Sequence, residues 1–258
     1  MHDSPGLAAS DGYRSGLKRD LRDRFGFNLV NHMTNIEKHK RVNDIFLGPL
    51  ERPALQWLSA RMPEWITPDI CTAIGVLGAF IISIGYFLSN FDRNFLWLAS
   101  FGFVVNWFGD SLDGTLARYR HIERPKFGFF IDHTTDSFSQ VVIFFGLGVS
   151  PYVSFNVACL ALIAYLMLSV LAYVRTCVVG EFKISYGKLG PTEIRVLAIL
   201  LNIAMYFIGQ KWIQSSLANV QLVFSVYDIV VSAIAALLFG FFFNTAWKQA
   251  RSLSSLGE

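Results

Sequence analysis

The chain has 258 residues, 53% of them apolar and 16% charged, and its net charge is only +3. A mean hydropathy of +0.43 is high for a water-soluble domain. Long apolar runs, not basic patches, organise the chain, which argues against a nucleic-acid-binding protein. The three cysteines, Cys71, Cys159 and Cys177, show no paired spacing and lie in or near apolar runs, which argues against a disulfide framework or a cysteine metal site.

Residues 1–48 are polar and charged, without the apolar core of a secretory signal. They are too polar to bury a core of their own and read as a cytosolic N-terminal segment. Residues 49–65 predict an amphipathic helix. Leu50, Ala54, Leu55, Trp57, Leu58 and Met62 recur at helical spacing, flanked by Arg52 and Arg61. Such a helix is expected to lie in the membrane interface; the plainer alternative is a linker helix. Pro63 stops it. Thr67 then caps the next helix, with Pro68 in its first turn.

From 66 to 248 the chain reads as one transmembrane domain, followed by a tail at 249–258 that is expected to be cytosolic. Six runs are long enough to cross a bilayer, at roughly 68–89, 94–119, 127–149, 152–178, 192–209 and 220–246. The expected fold is an all-α integral membrane protein: six transmembrane helices preceded by an interfacial helix. Carboxylates interrupt the second and third runs, as intramembrane chemistry would require. Lys and Arg set the orientation. Twenty fall before span one, between spans two and three, between spans four and five, or in the tail; Arg93 and Lys211 alone fall on the other side. Both termini and the loop after span two are therefore expected in the cytosol.

The chemistry is concentrated where spans two and three meet. Asp110 and Asp113 are i,i+3 and share one helix face; Asp132 and Asp136 are i,i+4 and share another. Two facing helices would present four hard oxygen ligands, suited to Mg²⁺ or Mn²⁺, one ion or a pair, and not to zinc. Gly114 clears space beside the carboxylates, Ala117 keeps the next turn small, and Arg118 adds a fixed positive charge suited to phosphate. Each residue also has a plainer reading. Intramembrane carboxylates can form an ion pathway or a salt-bridge network, Gly114 and Ala117 can serve helix packing, and Arg118 can be a snorkelling anchor. A non-enzymatic cation-binding protein or transporter is the rival class.

Taken together, the run resembles the signature of the CDP-alcohol phosphotransferase family, D-x-x-D-G-x-x-A-R, a short spacer, then G-x-x-x-D-x-x-x-D. All eight specified positions match, with nine residues between Arg118 and Gly128. The resemblance implies six transmembrane helices, often in a homodimer, and a two-metal site open to the cytosol. It implies cleavage of a CDP-linked donor with release of CMP, the acceptor being a lipid or a small alcohol. By position Asp110, Asp113, Asp132 and Asp136 would bind the metals, and Asp136 would also be the base. Asp110, Gly114, Ala117, Arg118 and Gly128 would form the nucleotide pocket. His133, beside the ligands, would assist proton removal or simply hydrogen-bond at the rim.

A second cluster, Gly187-Lys188-Leu189-Gly190-Pro191-Thr192-Glu193-Ile194-Arg195, follows span four. Thr192 reads as a helix N-cap and Glu193 as a complement to the helix dipole. Lys188, Glu193 and Arg195 are also candidates for binding an acceptor or a phosphate. The Gly-Pro-Thr-Glu string, Asp132-His133-x-x-Asp136-Ser137 and the Pro-x-Trp before span one are similar to strings of the aminoalcohol branch of the family. They point to CDP-choline or CDP-ethanolamine as donor and diacylglycerol as acceptor. The basic residues of the loop point to the other arrangement, CDP-diacylglycerol donating to a small polar alcohol.

Overall fold

The computed structural model describes residues 46–179, 190–217 and 220–255. Among the described residues, seven helices and one two-stranded sheet follow one another. They are α1 (Gly48–Arg61), α2 (Pro68–Leu88), α3 (Phe95–Tyr119), α4 (Pro125–Val149), α5 (Phe155–Val179), α6 (Pro191–Ile208), β1 (Trp212–Leu217), β2 (Val220–Ser225) and α7 (Val226–Ser255). Five of them, α2, α3, α5, α6 and α7, are long and apolar enough to cross a membrane. The protein is thus a multi-pass, almost wholly helical membrane protein. Outward stripes such as Leu77, Phe80, Ile84 and Phe87 on α2 and Ile234, Leu237 and Phe241 on α7 are exposed, as lipid contact requires. The helix at the third expected span, α4, is present, but Lys126, Asp132, His133 and Asp136 leave it less apolar than the five.

The all-helical architecture expected from the apolar runs holds, with one local addition: β1 and β2 pair antiparallel, Trp212 with Ser225 through to Leu217 with Val220. The last helix consequently begins at Val226 rather than near 220. Asp228 fixes that start. Its carboxylate accepts from the Ser154 N–H and hydroxyl at 2.7 and 2.6 Å and from the Ser225 N–H at 2.8 Å, satisfying donors of the turn before α5 and of the hairpin's end.

The helix-start expectation at Thr67 holds: its hydroxyl accepts from the Ile70 N–H at 3.3 Å, with Pro68 in the first turn. α2 and α3 pack with their backbones nearly touching. A Cβ on Gly78 would sit 2.4 Å from Asn106 N, one on Gly85 2.5 Å from Ala99 N, and one on Gly109 2.2 Å from Gly75 N. Small residues allow this close approach where there is no water to drive association. Asn106, buried in this crossing, donates from Nδ2 to the Gly75 carbonyl at 2.8 Å. A second buried polar pair lies deeper, where Tyr86 Oη donates to Asn202 Oδ1 at 2.8 Å, tying α2 to α6. The main apolar core runs through Ile82, Phe103, Ile143, Met205 and Val231.

α1 is fastened to the bundle and is more than a surface helix. Leu55, with Leu58 and Met62, joins Cys71, Leu112 and Leu116 in a second apolar cluster. Leu50, Ala54 and Trp57 of the same expected stripe are exposed. Arg120, at the end of α3, donates to the carbonyls of Met62, Pro63 and Ile66 at 3.0, 2.9 and 2.6 Å. The α1–α2 linker is thereby held at the end of the bundle that carries the C-terminus of α3 and the N-terminus of α4. The polar segment 1–45 and Lys188 lie outside the described residues.

Candidate active site

Each carboxylate pair sits where helix periodicity puts it. Asp110 and Asp113 project from the last half of α3, and Asp132 and Asp136 from the first half of α4. The short 120–124 connection, with His121 in the left-handed region at φ 55°, folds the two segments back on each other. One ligand atom from each of Asp132, His133 and Asp136 lies within 4.8 Å of the others. This group could hold a metal ion, and its two carboxylates and imidazole suit a divalent cation. Asp136 interacts with Asp110 across the helix pair and with Asp132 and Arg195. The structure therefore brings Asp110, Asp132, His133, Asp136 and Arg195 together. Asp113 points toward α2, where the Thr72 hydroxyl donates to its Oδ2 at 2.7 Å.

Arg195 is buried, in the first turns of α6. Its Nη2 meets Asp110 Oδ2 at 2.5 Å and its Nε donates to Asn106 Oδ1 at 2.8 Å. Asn106 thus links the α2 backbone, through Gly75, to Arg195 and so to Asp110. The Nη1 of Arg195 is buried without a hydrogen-bond partner among the described residues. An unpaired guanidinium donor beside a cluster of carboxylates is a place for an anionic oxygen.

Glu193, a candidate for binding an acceptor or a phosphate, is engaged by two backbone N–H groups. Its Oε2 accepts from the Gly190 N–H at 2.8 Å and its Oε1 from the Leu47 N–H at 2.7 Å. It caps α6 and ties in the start of α1. Gly190, not Thr192, is the N-cap, because Pro191 takes the first helical position. The Thr192 hydroxyl instead donates to Glu51 Oε1 at 2.8 Å.

Arg118 lies at the exposed edge, its guanidinium over Gly114: a Cβ at Gly114 would meet Nη1 at 3.3 Å. Ala117 is half-buried one turn on, and Gly128 has open space where a Cβ would stand. His133 packs edge-on to Phe129 with ring centres 4.2 Å apart and stacks on Tyr173 at 5.2 Å.

Sequence reading missed the α5 and α1 contributions. Tyr165 faces the charges of Asp136, Arg195 and Asp110, and Tyr173 lies near Ser137, Asp136 and Asp132. Tyrosines inside an apolar run gave no spacing signal. Asn106 did give one: it lies one turn before Asp110 on the same face, a polar residue in an apolar segment.

The class these features define is a multi-pass membrane protein with a polar site inside its bundle, where Asp110, Asp132 and Asp136 meet the buried Arg195. The chain belongs to the CDP-alcohol phosphatidyltransferase family, whose sequence model matches residues 65–241. It is 37% identical over 84 residues to the phosphatidylinositol phosphate synthase of Cutibacterium acnes, covering 32% of this chain and 37% of that protein. It is 38% identical over 104 residues to the archaetidylinositol phosphate synthase of Pyrococcus horikoshii, covering 40% and 52%. Over a longer stretch of 191 residues it is 25% identical to cholinephosphotransferase 1 of Gallus gallus, covering 69% and 55%. The chain spans at most about half the length of these relatives.

Proposed function

We propose that the chain is a membrane phosphotransferase of phospholipid synthesis. It moves a substituted phosphate from a CDP-alcohol to an acceptor hydroxyl and releases CMP. The observation that carries this reading is the pairing of Asp110 and Asp136 from the two halves of the motif, with the buried Arg195 guanidinium beside them.

Asp110, Asp113, Asp132 and Asp136 would hold two Mg²⁺ or Mn²⁺ ions, and the cluster of hard oxygen donors around His133 fits such ions. When bound, the ions supply charge neutralisation at the donor's diphosphate. The chain's own residues do the rest. Arg118 and the unpaired Nη1 of Arg195 offer donors to phosphate oxygens. Gly114, Ala117 and Gly128 keep room for the nucleotide. Asp136 takes the proton of the acceptor hydroxyl. The acceptor oxygen bonds to the β-phosphorus as the bond from that phosphorus to the CMP oxygen breaks.

We favour CDP-choline or CDP-ethanolamine as donor and diacylglycerol as acceptor. Besides the aminoalcohol-like strings, the Glu193 carboxylate is engaged by backbone N–H groups and does not stand in an open acceptor-phosphate pocket. The second reading is CDP-diacylglycerol donating to a small polar alcohol, which the names of the two inositol phosphate synthases favour. Incubating the purified protein with each donor–acceptor pair and weighing the lipid product by mass spectrometry decides between them.

The topology belongs to the same proposal. With α4 as a sixth span, both ends of the chain fall on one side, the cytosolic side that the basic residues mark. Exposed Phe138, Val141 and Phe145 on α4 give an apolar face that lipid or a second copy in a homodimer can cover.

A further inference from the structure

We propose that Glu51 of α1 is a positioning residue for the reaction, acting through Arg195; the inference rests on the phosphotransferase reading above. One carboxylate oxygen of Glu51 collects three donors from two other helices. Its Oε1 accepts from Trp107 Nε1 at 2.8 Å, from the Ser111 hydroxyl at 3.1 Å and from the Thr192 hydroxyl at 2.8 Å. Trp107 and Ser111 lie one turn apart on α3 and bracket Asp110 in sequence. Thr192 lies one turn before Arg195 on α6.

The link is reciprocal. While Glu51 of α1 holds Thr192 of α6, Glu193 of α6 holds the Leu47 N–H at the start of α1. Two carboxylates thus stitch the first turn of α1 to the first turn of α6. One turn on along the same face stands Arg195, locked to Asp110 and Asn106 of α3. The place of the guanidinium is therefore set from two sides, by α3 directly and by α1 through Glu51. Hydrogen bonds to an ionised acceptor are the stronger kind, and an alanine would leave an indole N–H and two hydroxyls without it. The first turn of α6 would then be free to shift. A misplacement of about 1 Å at a reacting site lowers rates by about a hundredfold.

The test compares Glu51→Ala, Glu51→Gln, Arg195→Ala and the double variant Glu51→Ala/Arg195→Ala in CMP release. It adds a readout that needs no turnover. Nitroxide labels at Ala54→Cys and Val196→Cys, in a chain whose three native cysteines are replaced by alanine, report the α1–α6 distance by electron paramagnetic resonance. Glu51→Ala is expected to lower kcat by about tenfold to a hundredfold, to leave the donor KM nearly unchanged, and to broaden the distance distribution. Glu51→Gln keeps the accepting oxygen and retains most of both properties. In the Arg195→Ala background, Glu51→Ala adds little further loss, because its route to the chemistry is already gone.

A folded Glu51→Ala protein with the wild-type kcat, or losses that multiply in the double variant, overturns the proposal. So does an unchanged α1–α6 distance, whatever the activity. If Glu51→Ala does not fold, Thr192→Val removes the α6 donor alone and is read the same way. Wild-type protein that releases no CMP from any CDP-alcohol refutes the phosphotransferase reading instead, and the distance measurement still judges the stitch between α1 and α6.

Discussion

Replacing Gly109 by alanine tests how the α2–α3 crossing governs the site. The new methyl carbon would stand 2.2 Å from Gly75 N, 2.5 Å from the Cys71 carbonyl oxygen and 2.6 Å from Gly75 Cα. All three are backbone atoms, so no side chain can rotate away. To reach van der Waals contact, the helices must part locally by about 1 Å, an overpacking strain of about 1 to 3 kcal/mol. The better helix propensity of alanine returns at most about 1 kcal/mol. Asp110 is the next residue and is bonded to Arg195 at 2.5 Å, so it moves with the backbone. A displacement of that size predicts a tenfold to hundredfold loss of turnover along with a lower melting temperature. Thermal unfolding in detergent and initial rates of CMP release measure both. Gly128→Ala is the control, because nothing lies within 4 Å of the position its Cβ would take; its melting temperature should match the wild type. If Gly109→Ala melts and turns over like the wild type, the close crossing does not hold the site.

Other substitutions separate the remaining roles. Asp136→Asn should cost far more in turnover than in donor affinity, whereas Asp110→Asn should damage both; near-normal turnover in Asp136→Asn with its loss in His133→Ala would make His133 the base. Gly114→Leu must displace the Arg118 guanidinium, its nearest neighbour at 3.3 Å, and should weaken CDP-alcohol binding in calorimetry while the protein stays folded. Unchanged affinity would put the nucleotide elsewhere. Tyr86→Phe strands the buried Asn202 carbonyl oxygen and should lower stability by about 1 to 3 kcal/mol, with the donor KM unaffected; an unaltered unfolding curve would mean that the pair contributes nothing.

What could be read from the sequence was local. Thr67 before Pro68 marks a helix start because cap and proline act within one turn. The aspartates announce two faces because i,i+3 and i,i+4 spacings need no knowledge of the fold. The hairpin was hidden because the apolar strand Val220–Ser225 runs without a break into the apolar start of α7, and hydropathy does not separate strand from helix. The second cluster was misread by two residues: threonine is a good cap in general, but here Pro191 fixes the first helical position and leaves Gly190 as the cap. Long-range partners left no trace at all. Nothing near Arg195 in sequence tells that Asp110, 85 residues away, receives its guanidinium. Nor does Glu51 announce that it serves Thr192, 141 residues on.

We propose that the four aspartates of α3 and α4 make a metal-dependent site for a CDP-linked donor. The most direct measurement is CMP release by purified protein from a panel of CDP-alcohols with matched acceptors, after chelation and after adding back Mg²⁺ or Mn²⁺. Chelation should abolish release and either ion should restore it, whereas a folded Asp113→Asn variant should stay inactive at the same metal concentration. Release that survives chelation, or Asp113→Asn turning over like the wild type, would contradict the account.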